Sequence, residues 1–158
     1  TATTEIYALS LHDALPIWQN ISKIRPSGWQ DETYIDRATG KERVLYNRCH
    51  LIAHSLVAEN ANVENLITGT AYMNNSGMRV FENKVKNYID SHENDNPHVL
   101  YRVTPIFSGD ELVCRGVHME AMSYGISEDQ LKFNVYVYNV QDGIEIDYKT
   151  GDSKQINK

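Results

Sequence analysis

The 158-residue chain has no apolar run approaching the roughly 20 residues of a membrane-crossing helix. It holds only two cysteines, Cys49 and Cys114, and no CxxC pair. A disulfide scaffold therefore cannot be built from it, and the two thiols read as buried, inert side chains. Positive charge is also scarce: the net charge is −6 and the pI is near 5.4. That excludes a broad basic surface that coats nucleic acid non-specifically. It leaves room for an enzyme that meets phosphate through a metal ion and a few local cations. Internal repeats and domain linkers are lacking as well, so the length corresponds to one domain with a real core. The content of 41% hydrophobic and 23% charged residues is ordinary for a globular protein.

Residues 1–17, TATTEIYALSLHDALPI, differ in texture from the remainder of the chain. They read like the translation of a sequencing adapter of the kind that contaminates assembled metagenomic genes, with a short amphipathic helix as the alternative. The expected organisation is a non-native segment over 1–17, one domain over 18–152 and a frayed tail over 153–158. On that reading the true N-terminus, and any signal peptide with it, is missing; the stretch itself lacks the basic and apolar regions of a signal peptide.

Beyond it, Asp36 to Lys41 reads as a hairpin loop leading into a short strand at Val44, Leu45 and Tyr46. A polar, Asn-rich loop follows over 59–65, with Asn60 and Asn62 as turn or cap residues. Met78, Phe81, Val85, Tyr88 and Ile89 form one apolar stripe, which predicts a helix over 77–91 capped by Asn75 or Ser76. Four segments rich in Val, Tyr, Phe and Ile (99–107, 112–122, 131–138 and 144–148) predict an antiparallel meander.

The order strand, polar loop, helix places a set of chemically apt residues at its junctions. Asn47-Arg48-Cys49-His50 ends the strand, Asn74 precedes the helix, and Glu82 lies about two turns on. Phosphodiester hydrolysis needs a base for water, a cation to offset phosphate charge and a group to stabilise the leaving alkoxide. A histidine titrating near neutrality can be the base. An Asn carbonyl can hold Mg²⁺, which takes oxygen ligands and keeps most of its waters, while a nearby carboxylate fixes their orientation.

The stretch YNRCHLIAHSLVAENANVENLITGTAYMNNSGMRVFENKV resembles the catalytic core of the DNA/RNA non-specific endonucleases, which are ββα-metal, or His-Me finger, nucleases. The family's signature is Asp-Arg-Gly-His, here Asn47-Arg48-Cys49-His50. Downstream the family places an Asn, a second Asn nine residues later and a Glu eight residues after that; Asn65, Asn74 and Glu82 keep both spacings. The segments LYRVTPIF and FNVYVYNVQDGIEIDYKTG extend the likeness over about 21–152. The resemblance implies an α+β fold, mostly an antiparallel sheet with a ββα finger. It implies that His50 is the general base, Asn74 the direct Mg²⁺ ligand (Mn²⁺ substituting) and Glu82 a carboxylate acting through metal-bound waters. Arg48 would contact phosphate or order the site, and Asn65 would position water or phosphate. Lys86 and Arg79 are the candidate substrate-binding cations. The implied activity is cleavage of DNA and also RNA without strong sequence preference, leaving 5′-phosphates, by an exported protein.

Two departures set the alternatives. Asn47 replaces the signature's Asp, which puts any orienting partner of His50 in doubt. Cys49 replaces its Gly; next to a histidine it suggests a Cys-His nucleophile, but neighbours on a strand point to opposite faces, so packing is expected. These departures and the acidic pI motivate a second reading, a catalytically weakened nucleic-acid-binding domain. His50 and His54 form an HxxxH pair without the Glu of HExxH, a third reading as a zinc hydrolase. Asn75 rivals Asn74 as ligand, although its offset to Glu82 is one residue short.

Overall fold

The computed structural model describes residues 5–9, 20–57, 61–125 and 130–156. Its largest element is a four-stranded antiparallel sheet in the order β1-β6-β7-β8, where β1 is Glu5–Leu9, β6 His98–Ile106, β7 Gly116–Tyr124 and β8 Lys132–Tyr138. Along β6 the side chains of Val99, Tyr101 and Val103 are fully buried while Leu100 and Ile106 are exposed. This is the period-2 signature of a sheet with one covered face. The expected meander is present over its first three strands, except that 112–115 is a turn segment and β7 starts at Gly116; the fourth expected strand, 144–148, is not in this sheet, and residues 144–146 pair with 153–155 instead. Glu5–Leu9, within the stretch set aside above, pairs with β6 as a strand and is not the helix considered there. Residues 1–4 and 10–17 of that stretch, and Asn60, lie outside the described residues.

Helix α2, Arg79–Ser91, lays Val85, Tyr88 and Ile89 against the covered face of the sheet. The expected cap at Asn75 or Ser76 is not there. The helical run begins earlier, at Ala71, and passes through a π-helical turn, Met73–Met78. The cap is Thr70, whose hydroxyl oxygen accepts the N–H of Met73 at 3.0 Å, three residues on. Met73 to Ser76 fall before the expected helix because their local propensity is weak; the buried Met73 and Met78 hold the turn helical.

The expected strand at residues 44–46 is two strands, β3 (Lys41–Val44) and β4 (Tyr46–His50), broken at the fully buried Leu45. β3 pairs with β2, Thr33–Asp36, around the expected hairpin turn. β4 pairs antiparallel with β5, Leu66–Thr70, in the register Arg48↔Thr68 and His50↔Leu66. The segment expected as a frayed tail carries β10, Ser153–Gln155, paired with β9, Ile144–Ile146. Its Gln155 side chain exchanges two hydrogen bonds with the backbone of Ile35, at 2.8 and 3.2 Å, which ties the end of the domain to β2. No helix among the described residues is long and apolar enough to cross a membrane.

Candidate active site

Strand β4 presents its two faces to different surroundings. Arg48 and His50, two apart, share the outward face, while Cys49 points into the core and is fully buried. Cys49 Sγ and the end of Met73 occupy the space where a side chain at residue 69 would stand, and glycine there leaves room for them. Burial holds the Cys49 thiol well above its ordinary range, so it is a packing group and not a nucleophile.

β5 leads through Thr70 into the π-helical turn, whose widened hydrogen bond runs from Arg79 N–H to Asn74 O. In an unbroken α-helix, eight steps overshoot two turns by about 80°. The extra residue taken up by the π-turn reduces that overshoot and brings Asn74 and Glu82 nearer to one face. Single π-turns inside helices are frequent at functional sites.

Arg48, His50, Asn74, Arg79, Glu82 and Lys86 line a single open cleft of about 580 Å³. It lies between the β4–β5 pair and the π-turn with α2. Asn75, the rival ligand, lines it too, as does His54 at the start of the short helix α1, His54–Val57. Ala53, Ser55 and Asn83 complete the wall; no sequence spacing singled them out.

Asn65 is the predicted site residue that the fold keeps out of the cleft. It is fully buried, its Oδ1 accepts Ile52 N–H at 2.9 Å, and its Nδ2 donates to Ile52 O at 3.1 Å. With its own carbonyl accepting Leu51 N–H, it clamps the chain that leaves His50. It orders the site from behind, and its amide is not available to water or phosphate in the cleft.

Arg48 is likewise engaged. Its Nε donates to Ile24 O at 2.6 Å and its Nη2 to Ser22 O at 2.7 Å, and its guanidinium lies 3.9 Å from the Trp29 ring centroid. Of its two expected roles, ordering the site is the one this geometry serves. Lys86 pairs with Asp90 one turn on, and Arg79 is exposed.

Glu82 is half-buried, and burial pushes its carboxyl up to about 7, against a smaller opposing pull from Arg79. The folded state therefore binds this proton more tightly than the unfolded state, whose carboxyl titrates near 4.5. The stabilisation is full below about 4.5 and is lost as pH rises through about 7. Glu82→Gln should accordingly gain stability over wild type at pH 8 relative to pH 5. The expected gain, discounted for partial exposure, is on the order of 1 kcal/mol, or about 2–4 °C in Tm. Thermal melts at the two pH values check this; an equal difference at both would refute it.

The oxygen donors sharing the cleft include the amide oxygens of Asn74 and Asn75 and the Glu82 carboxylate. Such hard oxygen donors, few in number, suit Mg²⁺, which keeps most of its own water. Among the described residues, no three His, Cys, Asp or Glu side chains cluster as a metal cage. His50 and His54 sit on different elements and do not form the one-helix pair that a zinc protease site requires.

A family model for DNA/RNA non-specific endonucleases matches residues 3–125. A deoxyribonuclease of Streptococcus dysgalactiae subsp. equisimilis is 34% identical over 111 residues, covering 68% of this chain and 32% of that protein. The chain thus spans about a third of the length of that relative. Magnesium-bound NucA from Streptococcus agalactiae is similar in structure, with a TM-score of 0.80 and 27% identity over 98% of this chain and 72% of that one. The Sda1 nuclease with bound zinc ion matches with a TM-score of 0.69 and 29% identity, over 85% of this chain and 68% of that one. With the family model spanning well over half of its length, and its own strands and helix gathering Arg48, His50, Asn74 and Glu82 into one cleft, the chain belongs to the DNA/RNA non-specific endonuclease family.

Proposed function

We propose that this chain is an exported, Mg²⁺-dependent endonuclease that hydrolyses phosphodiester bonds in DNA, and in RNA as well, without strong sequence preference. The observation that carries the reading is one cleft holding a histidine, oxygen donors and cations together: His50, Asn74, Glu82, Arg79 and Lys86. Asn74, with Asn75 beside it, would hold the ion, and Mn²⁺ would substitute. When bound, Mg²⁺ supplies positive charge that offsets the charge building on the scissile phosphate.

The remaining work falls to the chain's own groups. Nε2 or Nδ1 of His50 takes the proton of the attacking water as its oxygen bonds to phosphorus. The bond between phosphorus and the 3′-oxygen then breaks: the 3′-oxygen takes a proton from a water in the cleft and leaves as the hydroxyl, the other side keeps the 5′-phosphate, and the His50 proton passes to solvent. Glu82 accepts hydrogen bonds from water in the cleft and fixes its orientation. Arg79 and Lys86 hold the backbone through its phosphates, a contact that reads no bases and accounts for low sequence preference. Arg48 ties the backbone at Ser22 and Ile24 to β4 and so fixes its own place at the edge of the cleft.

Plasmid nicking tests this directly. Wild-type protein should nick supercoiled DNA and cleave RNA with Mg²⁺ or Mn²⁺ and do neither in EDTA. Asn74→Ala should raise the Mg²⁺ concentration for half-maximal cleavage by about tenfold or more. Binding of DNA with no nicking at any divalent metal would leave the weakened binding domain as the reading. Unchanged metal dependence in Asn74→Ala would move the ligand assignment to Asn75.

A further inference from the structure

Arg48 and Asn74, which line the catalytic cleft, also line a second hollow of about 580 Å³, so the two spaces meet at the residue proposed to hold the ion. That volume falls within the roughly 300–1,000 Å³ of small-ligand sites. The second hollow differs from the first in its chemistry. Ile21, Trp29, Val44 and Tyr46 give it apolar walls, and Val44 is exposed. Trp29 is half-buried and held in place: its Nε1 donates to Asp31 Oδ1 at 3.0 Å, and its backbone N–H closes a turn on Pro26 O at 3.1 Å. Arg48, a lining residue, lies 3.9 Å from the ring centroid; Arg25, 5.6 Å away, does not line the hollow. The catalytic cleft also carries Arg79 and Lys86, whereas among the described residues lining the hollow Arg48 is the one cation. Its Nε and Nη2 already donate to backbone carbonyls, and the exposed Asp31 carboxylate stands beside the ring. A phosphate gains little there; a flat, uncharged aromatic group gains apolar contact and stacking.

We propose that this hollow is a nucleobase subsite: it takes the base of the nucleotide on one side of the scissile phosphate, packed against Trp29 between Ile21 and Val44. A chain cut in its interior must run on past the cleft in both directions, and the hollow is continuous with the cleft at Arg48 and Asn74. Every base offers a π-face, so such a contact leaves sequence preference low. It does demand a base that has left its stack, which makes an unpaired strand the better substrate. The inference rests on the reading that the cleft cleaves nucleic acid.

Single-stranded oligodeoxynucleotides whose linkages are all phosphorothioate but one confine cleavage to a single phosphodiester, and an abasic residue can be placed on either side of it. For wild type, losing the base on the subsite side should lower kcat/KM about tenfold or more, and losing the other should cost less than about threefold. Trp29→Ala should cut the intact oligonucleotide about tenfold more slowly and show no further loss with the abasic one. If Trp29 serves only to hold Arg48, the abasic penalty persists unchanged in the variant, and the inference is overturned. Equal penalties on both sides, or a duplex cut as fast as the single strand, would overturn it too. Should Trp29→Ala melt several degrees lower than wild type, the fluorescence of Trp29 decides, read in Trp18→Phe, where it is the sole tryptophan. Binding of the intact strand in Ca²⁺ should quench it, and the strand abasic on the subsite side should quench it less than about half as much. Equal quenching by both would sink the inference. Protein that binds the strand with this difference in quenching but cuts nothing would overturn the nuclease reading and keep the subsite; protein that cuts without any of these differences would do the reverse.

Discussion

His50→Ala should cut DNA about 10²–10⁴-fold more slowly than wild type and bind it nearly as well. The size of the loss reflects the groups left in place. The alanine variant keeps Asn74, Glu82 and the cations Arg79 and Lys86 in the cleft, so substrate and metal still assemble. Only the proton acceptor for the attacking water is removed. Folding should be little affected, because His50 is the last residue of β4 and its strand pairing with Leu66 is made by backbone. Three measurements separate these contributions: nicking rate with saturating Mg²⁺, DNA affinity by fluorescence anisotropy in Ca²⁺, and Tm. A slow variant with wild-type affinity and Tm supports the base assignment. A rate within about threefold of wild type, far short of the loss expected for a general base, would move the base to another cleft residue, with His54 the first to examine.

The second large effect is on stability and comes from a residue far from any signature. Asn139 is fully buried at the end of β8. Its Nδ2 donates to Thr68 O at 3.1 Å and to Cys114 O at 2.9 Å, and its Oδ1 accepts Thr70 N–H at 2.8 Å. One amide thus joins β5, the turn before β7 and the C-terminal segment. Asn139→Leu would leave three buried backbone groups without partners, each costing about 1–3 kcal/mol. Partial rearrangement makes a total of roughly 3–5 kcal/mol reasonable, a large share of the roughly 5–15 kcal/mol that holds a typical domain. At about 2–4 °C per kcal/mol, Tm should fall by about 10 °C or more. A drop under about 3 °C would mean that water replaces the amide. Thr70 is also the cap of the helical run that carries Asn74, so this variant should lose cleavage at temperatures where the fold still persists.

Much of the molecule is legible in its sequence, for a definable reason. β6 to β8 and the stripe of α2 are written as apolar periodicities, and burial of one face decides them locally. The cleft residues are legible through spacing, because the strand end and the helix start are rigid frames that fix where residues 48, 50, 74 and 82 emerge. What escapes is set by partners distant in the chain. Arg48 finds the carbonyls of Ser22 and Ile24, Asn65 turns inward to Ile52, and Asn139 reaches across to β5. An arginine or asparagine has the same appearance in a sequence whether it faces solvent, substrate or a buried carbonyl. The π-turn escapes for the opposite reason: its composition argues for a loop, and only the burial of Met73 and Met78 overrules it. β10 is hidden because three polar residues make a strand only when β9 and Ile35 are there to receive them.

Gly69 carries a consequence for how this sequence can drift. Cys49, Met73 and the bare backbone at Gly69 share one volume, so the three positions are a single locus as far as mutation is concerned. The cysteine that departs from the family signature is tolerated because residue 69 has nothing to put there. An alanine at 69 arriving first would crowd both Cys49 Sγ and the end of Met73, whereas a smaller residue at 49 arriving first would leave only the flexible end of Met73 to move aside. Descendants of this chain should therefore exchange cysteine for glycine at position 49, and fill position 69, only in a fixed order of steps. Libraries that randomise the three codons together should recover combinations that single-site scans miss.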